Sequence, residues 1–210
     1  HTRLRTVTGV QTCALPILQR SQATRSLLAA KSMADLVDWQ IDQGIHGLIP
    51  LGSTGEFLSL SDAEAEAVAA TAIEAARGRV PVLIGTGAEM TDESIRLSKR
   101  AEKLGADGVM IIPPFYCTPT EDELFEHYRR IGEAIGIPIM IYNNPATANV
   151  DMRPETVKRL SAIDNVRYIK ESTLEVTRVR DIIDLCGEQM TVFAGILGDR
   201  KSTRLNSSHR

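Results

Sequence analysis

"GADGVMIIPPFYCTPTEDE", residues 105–123, contains one complete unit of a repeating design. Gly105 stands at the end of a helical pattern, where a left-handed C-cap is wanted. The apolar run 108–112 has no polar alternation, so it reads as a strand buried on both faces, the habit of a parallel sheet. Tyr116 lies just beyond the run, and Thr120 with Glu123 has the spacing of a capping box that opens the next helix.

The same order of signals recurs along the chain. Apolar runs at 46–51, 80–85, 108–112, 138–142, 166–170 and 191–194 are six expected strands. Ser61 with Glu64 forms a second capping box, and Gly78, Gly136 and Gly187 join Gly105 as expected left-handed C-caps. "SMADLVDWQIDQG" places Met33, Leu36, Val37 and Ile41 on one helical face that ends at Gly44. Strand then helix, repeated about every 25–35 residues, fits either a doubly wound sheet or a (β/α)₈ barrel of roughly 250 residues. "GTGAEM" at 85–90 lacks the third glycine of a dinucleotide fingerprint, and no glycine-rich loop ends in Gly-Lys-Ser/Thr. The expected fold is therefore α/β, an incomplete (β/α)₈ TIM barrel with about six of eight strands.

With 210 residues, 43% of them hydrophobic, the chain can bury one sizeable core. Residues 1–17 and 199–210 show neither helical nor strand periodicity. They hold six of the 24 Lys and Arg but one of the 27 acids, which leaves 18 basic against 26 acidic side chains, a net of −8, in residues 18–198. Both ends resemble translated sequencing-adapter DNA and are expected to be non-native, flanking one partial barrel domain at 18–198. An acidic domain is a poor match for nucleic acid. No apolar stretch reaches the length of a membrane span, and with no secretory signal the chain reads as cytoplasmic. Cys13, Cys117 and Cys186 form no disulfide or zinc spacing, and His1, His46, His127 and His209 form no metal motif.

In a barrel the chemistry gathers at the C-terminal ends of the strands. Those ends offer Ser53 and Thr54 between Gly52 and Gly55, then Tyr116, Tyr142 and Lys170. With a side-chain period of two, Val166, Tyr168 and Lys170 share a face, so the lysine is expected to point inward. A desolvated lysine is a neutral amine able to attack a carbonyl, although a strand-end lysine can also snorkel to water. Tyr142 reads either as packing with one satisfied hydroxyl or as a proton shuttle. Ser53 and Thr54 either cap the following helix or, with the backbone N–H groups of their turn, hold a carboxylate.

"GSTGEF", "PPFYCTPTEDE", "YNNPA" and "IKEST", in this order across residues 33–196, resemble the dihydrodipicolinate synthase and N-acetylneuraminate lyase family of class I, Schiff-base aldolases. The resemblance implies a (β/α)₈ barrel, a lyase acting on pyruvate or a 2-keto-3-deoxy sugar acid, and no cofactor or metal. It implies that Lys170 forms the Schiff base, that Tyr142 shuttles protons, and that Gly52, Ser53 and Thr54 bind the 2-oxo acid carboxylate. Tyr116 resembles the catalytic tyrosine that reaches the site of a neighbouring subunit and completes a hydroxyl relay with Ser53 and Tyr142, which implies a dimer or tetramer.

Two departures stand out. Thr147 occupies the position at which the synthases place an arginine for their second substrate, which favours a sugar-derived acid over aspartate semialdehyde. Leu174 stands where a glycine is usual. The rivals are the synthase reaction on pyruvate and aspartate semialdehyde, a metal-dependent aldolase, a non-catalytic binding barrel and an inactive fragment.

Overall fold

A computed structural model describes residues 25–173 and 175–195 of the chain. The two expected non-native ends, Cys13, His1, His209 and Leu174 lie outside the described residues. Helix α1 (Arg25–Asp42) leads through two 3₁₀ turns, Ser53–Gly55 and Phe57–Ser59, to α2 (Asp62–Ala76). Then come β1 (Leu83–Gly85), α3 (Thr91–Lys103), β2 (Gly108–Ile111), α4 (Glu121–Ala134) and β3 (Ile139–Asn143). The short α5 (Pro145–Ala148), α6 (Pro154–Leu160), β4 (Val166–Glu171), α7 (Val176–Cys186), a 3₁₀ turn and β5 (Thr191–Ala194) complete it.

The five strands are parallel, and their spatial order follows the chain, β1-β2-β3-β4-β5. A doubly wound sheet would reverse its order at a switch point; an order without reversal is that of a barrel wall. The packing agrees. Val82, Ile84, Val109, Ile111, Ile139, Ile141 and Ile169 face the helices in one large cluster. Ile49, Met110, Ile112, Met140 and Tyr142 form a second cluster on the concave face, where the one helical member among the described residues is Ala148 of α5.

Among the described residues five strands, not six, are regular. The segment 46–51 meets its neighbour through one isolated parallel bridge, Leu48 to Val82. Leu48 N–H donates to Pro81 O at 2.9 Å, Leu83 N–H to Leu48 O at 2.9 Å, and Gly85 N–H to Pro50 O at 3.0 Å. Pro50 has no N–H to return, so the ladder cannot continue although the segment lies at strand position.

Both capping boxes form as expected, at Ser61 with Glu64 and at Thr120 with Glu123. Gly44, Gly78, Gly105 and Gly187 adopt positive φ, whereas Gly136 does not. There α4 runs into an extended Ile135, and Gly136 N–H instead donates to Glu102 Oε1 at 2.7 Å. The face expected on α1 is buried, with Val37 at 0% and Met33 at 3% exposure. It packs against α2, whose buried residues are all alanines (Ala69, Ala72, Ala75 and Ala76) that let the helices approach closely. No helix among the described residues is long and apolar enough to cross a membrane.

"GTGAEM" has a packing explanation. A Cβ on Gly85 would lie 2.0 Å from Leu51 O, and one on Gly87 would lie 2.6 Å from Ile112 Cγ2. Gly85→Ala should therefore destabilise by roughly 3 kcal/mol or more, because backbone must move to admit the methyl group. Gly78→Ala, in open space but at φ +69°, should cost about 1 kcal/mol. Urea midpoints of the two variants check this ordering.

Candidate active site

Lys170 and Tyr142 are direct partners across the β3–β4 ladder. Lys170 Nζ sits over the Tyr142 ring, 4.3 Å from its centroid. Tyr142 is 6% exposed, and its Oη accepts a hydrogen bond from Asn144 Nδ2 at 3.0 Å. The same nitrogen donates to Thr147 Oγ1 at 3.0 Å. Burial alone draws the Lys170 amine down from the ordinary 10.5 to about 8, since a charged ammonium loses hydration there. The residue is half-buried, with its amine directed over the Tyr142 ring.

The inward register holds for Lys170 and Tyr168, but Val166 does not share it. A register irregularity at the start of β4 pairs Ile139 with Val166 and the next residue, Met140, with Tyr168. Val166 consequently packs in the helix-facing cluster, while Tyr168 packs against the concave one. The extra residue, exposed Arg167, resets the alternation that a strict period of two assumes.

Ser53 and Thr54 lie on an exposed 3₁₀ turn led by Gly52, with no side-chain capping bond. Helix α2 is capped by Ser61, so the reading of this pair as caps of the following helix is excluded. The turn begins after Leu51, which takes φ 61°, and ends at Glu56 with φ 53°. A non-glycine residue in this region stores about 1–3 kcal/mol of strain, which its surroundings must hold in place. Here the close approach of Gly85 to Leu51 O does so. Gly52, Ser53 and Tyr142 line one narrow cleft whose apolar walls include Leu51, Phe57 and Ile112.

The expected residues therefore divide. Lys170, Tyr142, Gly52 and Ser53 gather at the concave face, and Thr147 joins them through Asn144. Thr54 is on the same turn but does not line the cleft. Tyr116 stands apart, 87% exposed. Its loop is fixed by Glu89, which accepts the N–H groups of Phe115 and Tyr116 at 2.8 Å each and that of Cys117 at 3.5 Å. Among the described residues no cluster of three or more His, Cys, Asp or Glu could hold a metal ion.

Three supporting residues escape a sequence reading. Glu89 sits beside a methionine in a loop and gives no sign of reaching the next loop. Asn144 is hidden within a Tyr-Asn-Asn-Pro string whose two asparagines look alike. Gly195 directly follows β5, and a Cβ there would lie 1.9 Å from Ser172 Oγ and 3.2 Å from Lys170 Cε. Its position just after an expected strand was the available signal, for such glycines mark close approach.

Competitive labelling with acetic anhydride should show Lys170 gaining reactivity through about pH 8, while ordinary exposed lysines gain it near pH 10.4. A Lys170 profile that follows the exposed lysines would mean that the amine is fully hydrated.

The Dihydrodipicolinate synthetase family model matches residues 14–205. A curated relative from Syntrophobacter fumaroxidans, named 4-hydroxy-tetrahydrodipicolinate synthase, is 42% identical over 165 residues, 79% of this chain and 57% of the relative. The chain thus spans a little over half the length of that relative. A dihydrodipicolinate synthase from Acinetobacter baumannii complexed with pyruvate superposes with a TM-score of 0.82 at 35% identity, covering 89% of this chain and 63% of that one. A prophage protein from Escherichia coli, described as a member of the dihydrodipicolinic acid synthase family in complex with pyruvate, gives 0.76 at 35% identity over 87% and 60%. The barrel wall, the inward lysine and the matched length together place this chain in the dihydrodipicolinate synthetase family.

Proposed function

We propose that these residues form the catalytic part of a Schiff-base lyase acting on pyruvate or another 2-oxo acid. The observation that carries the proposal is the pairing of Lys170, whose amine burial brings closer to its neutral form, with Tyr142 on the concave rim. The pyruvate bound to two solved relatives supports the same substrate class. A neutral Nζ adds to the C2 carbonyl; Tyr142 gives its proton to the departing hydroxyl, which leaves as water. Ser53 and the backbone N–H groups of its turn take the carboxylate, in an arrangement suited to an anion. Gly52 leads that turn, and Thr54, on the same turn but outside the cleft, offers a second hydroxyl. The resulting iminium is the electron sink for breaking or making a C–C bond, or for expelling water.

The substrate we favour is a 2-keto-3-deoxy sugar acid. Thr147 offers a hydroxyl where the synthases use a guanidinium, and a hydroxyl suits a polyol better than a second carboxylate. The second reading, 4-hydroxy-tetrahydrodipicolinate synthase, is favoured by the name of the curated relative. The exposed Tyr116 supports a homo-oligomer in which one copy completes the site of another.

In a barrel completed to the length of the relatives, pyruvate and borohydride should leave one reduced pyruvyl adduct on Lys170, absent from Lys170→Ala, as peptide mass mapping would show. Tyr142→Phe should slow turnover by about two orders of magnitude while keeping the fold. Comparison of kcat/KM should rank a 2-keto-3-deoxy sugar acid above aspartate semialdehyde plus pyruvate; the reverse ranking would establish the synthase reading.

A further inference from the structure

Asn144 follows β3 directly and is tied down by its backbone. Its carbonyl accepts the N–H groups of Thr147 at 3.0 Å and Ala148 at 2.9 Å, so it anchors the first turn of α5. Its side-chain nitrogen lies 3.0 Å from both Tyr142 Oη and Thr147 Oγ1. The amide has two N–H groups, and both are engaged. A phenol oxygen that accepts from this nitrogen cannot aim its own hydrogen back at it. The Tyr142 hydrogen is therefore turned away from Asn144, and Lys170 Nζ lies over the face of the same ring.

We propose that Asn144 is a positioning residue for the proton transfers of Tyr142, an inference that rests on the Schiff-base reading of Lys170. In that chemistry Tyr142 first loses its proton to the hydroxyl of the carbinolamine, which departs as water while the Nζ lone pair closes the C=N bond. The phenolate left behind then takes a proton from C3. The C–H electron pair becomes the C2–C3 double bond, the C=N pair returns to nitrogen, and a neutral enamine and phenol result. Throughout this exchange an amide N–H can donate to the same oxygen, and it donates more strongly to the charged form. Asn144 so holds Oη in place while the proton comes and goes, and Thr147 holds Asn144.

The test uses the barrel completed to the length of the relatives, with pyruvate in D₂O, and reads two quantities. One is the end-point yield of the borohydride-reduced adduct on Lys170, and the other is the rate of deuterium entry at the pyruvate methyl group. Asn144→Val should leave the adduct yield within about twofold and slow deuterium entry about tenfold or more, the scale of a misplaced proton carrier. Asn144→Asp, equal in shape but an acceptor where a donor stood, should slow it as much. Deuterium entry at the unsubstituted rate in both Asn144 variants would overturn the assignment. Parallel losses of adduct and exchange would overturn it too, by showing Asn144 to be a structural support. Failure of the unsubstituted protein to form any adduct would instead overturn the Schiff-base reading beneath it.

Discussion

Asn143 and Glu171 face each other across β3 and β4, one residue beyond Tyr142 and Lys170, and the bond between Asn143 Nδ2 and Glu171 Oε2 measures 2.9 Å. Both side chains are buried, at 0% and 2% exposure. Their remaining capacity is used as well: Asn143 Oδ1 accepts Met152 N–H at 3.0 Å, and Glu171 Oε1 accepts Thr173 N–H at 2.7 Å. Sliding β4 past β3 by one residue would strand a carboxylate and an amide in a dry interface, at a cost of several kcal/mol. The register is therefore strongly specified at this point. Because side chains alternate, holding Asn143 against Glu171 on the helix side holds Tyr142 against Lys170 on the concave side.

Close backbone approach is the second constraint, and glycine supplies it at both ends of the site. Gly85 admits the Leu51 carbonyl, which steadies the left-handed turn that presents Ser53. Gly195 admits the Lys170 stem and Ser172, and its own N–H donates to Glu171 O at 2.7 Å. The strand ends thereby converge tightly enough to take a lysine partly out of water without pairing it with a carboxylate. Glu171, adjacent in sequence, faces the opposite side of the strand and is occupied with Asn143. Desolvation is left as the influence on the amine, and it favours the neutral nucleophile.

The loops carry a different logic from the strands. Glu89 gathers three consecutive N–H groups at residues 115–117 and makes a projecting tyrosine rigid without burying it. Arg178, 8% exposed, pairs with Asp151 at 2.6 Å and Glu175 at 2.8 Å, joining α7 to the segment that follows α5. The Arg178–Asp151 pair and the Glu89 bonds span elements far apart in sequence, and they fasten the rim to the outer helices where no strand ladder reaches.

Much of this architecture is legible in the amino-acid order alone. Buried parallel strands announce themselves as unbroken apolar runs, capping boxes fix where α2 and α4 begin, and the residue that ends a strand must sit at the rim; Lys170, Tyr142 and Ser53 follow from these local rules. What local rules cannot reach are contacts between distant segments. The missing N–H of Pro50 interrupts the first strand only because Leu83 is its neighbour, and the bulge that turns Val166 outward is a property of the β3–β4 pairing. Whether Ser53 capped a helix depended on Ser61 taking that role, and how far Lys170 loses water depended on how closely Gly195 let β5 approach. Sequence determines which groups each strand can deliver, because alternation and capping act over a few residues. The tertiary structure decides which delivered groups touch and how dry they are, because hydrogen bonding, steric approach and desolvation are set by neighbours that the chain brings together only on folding.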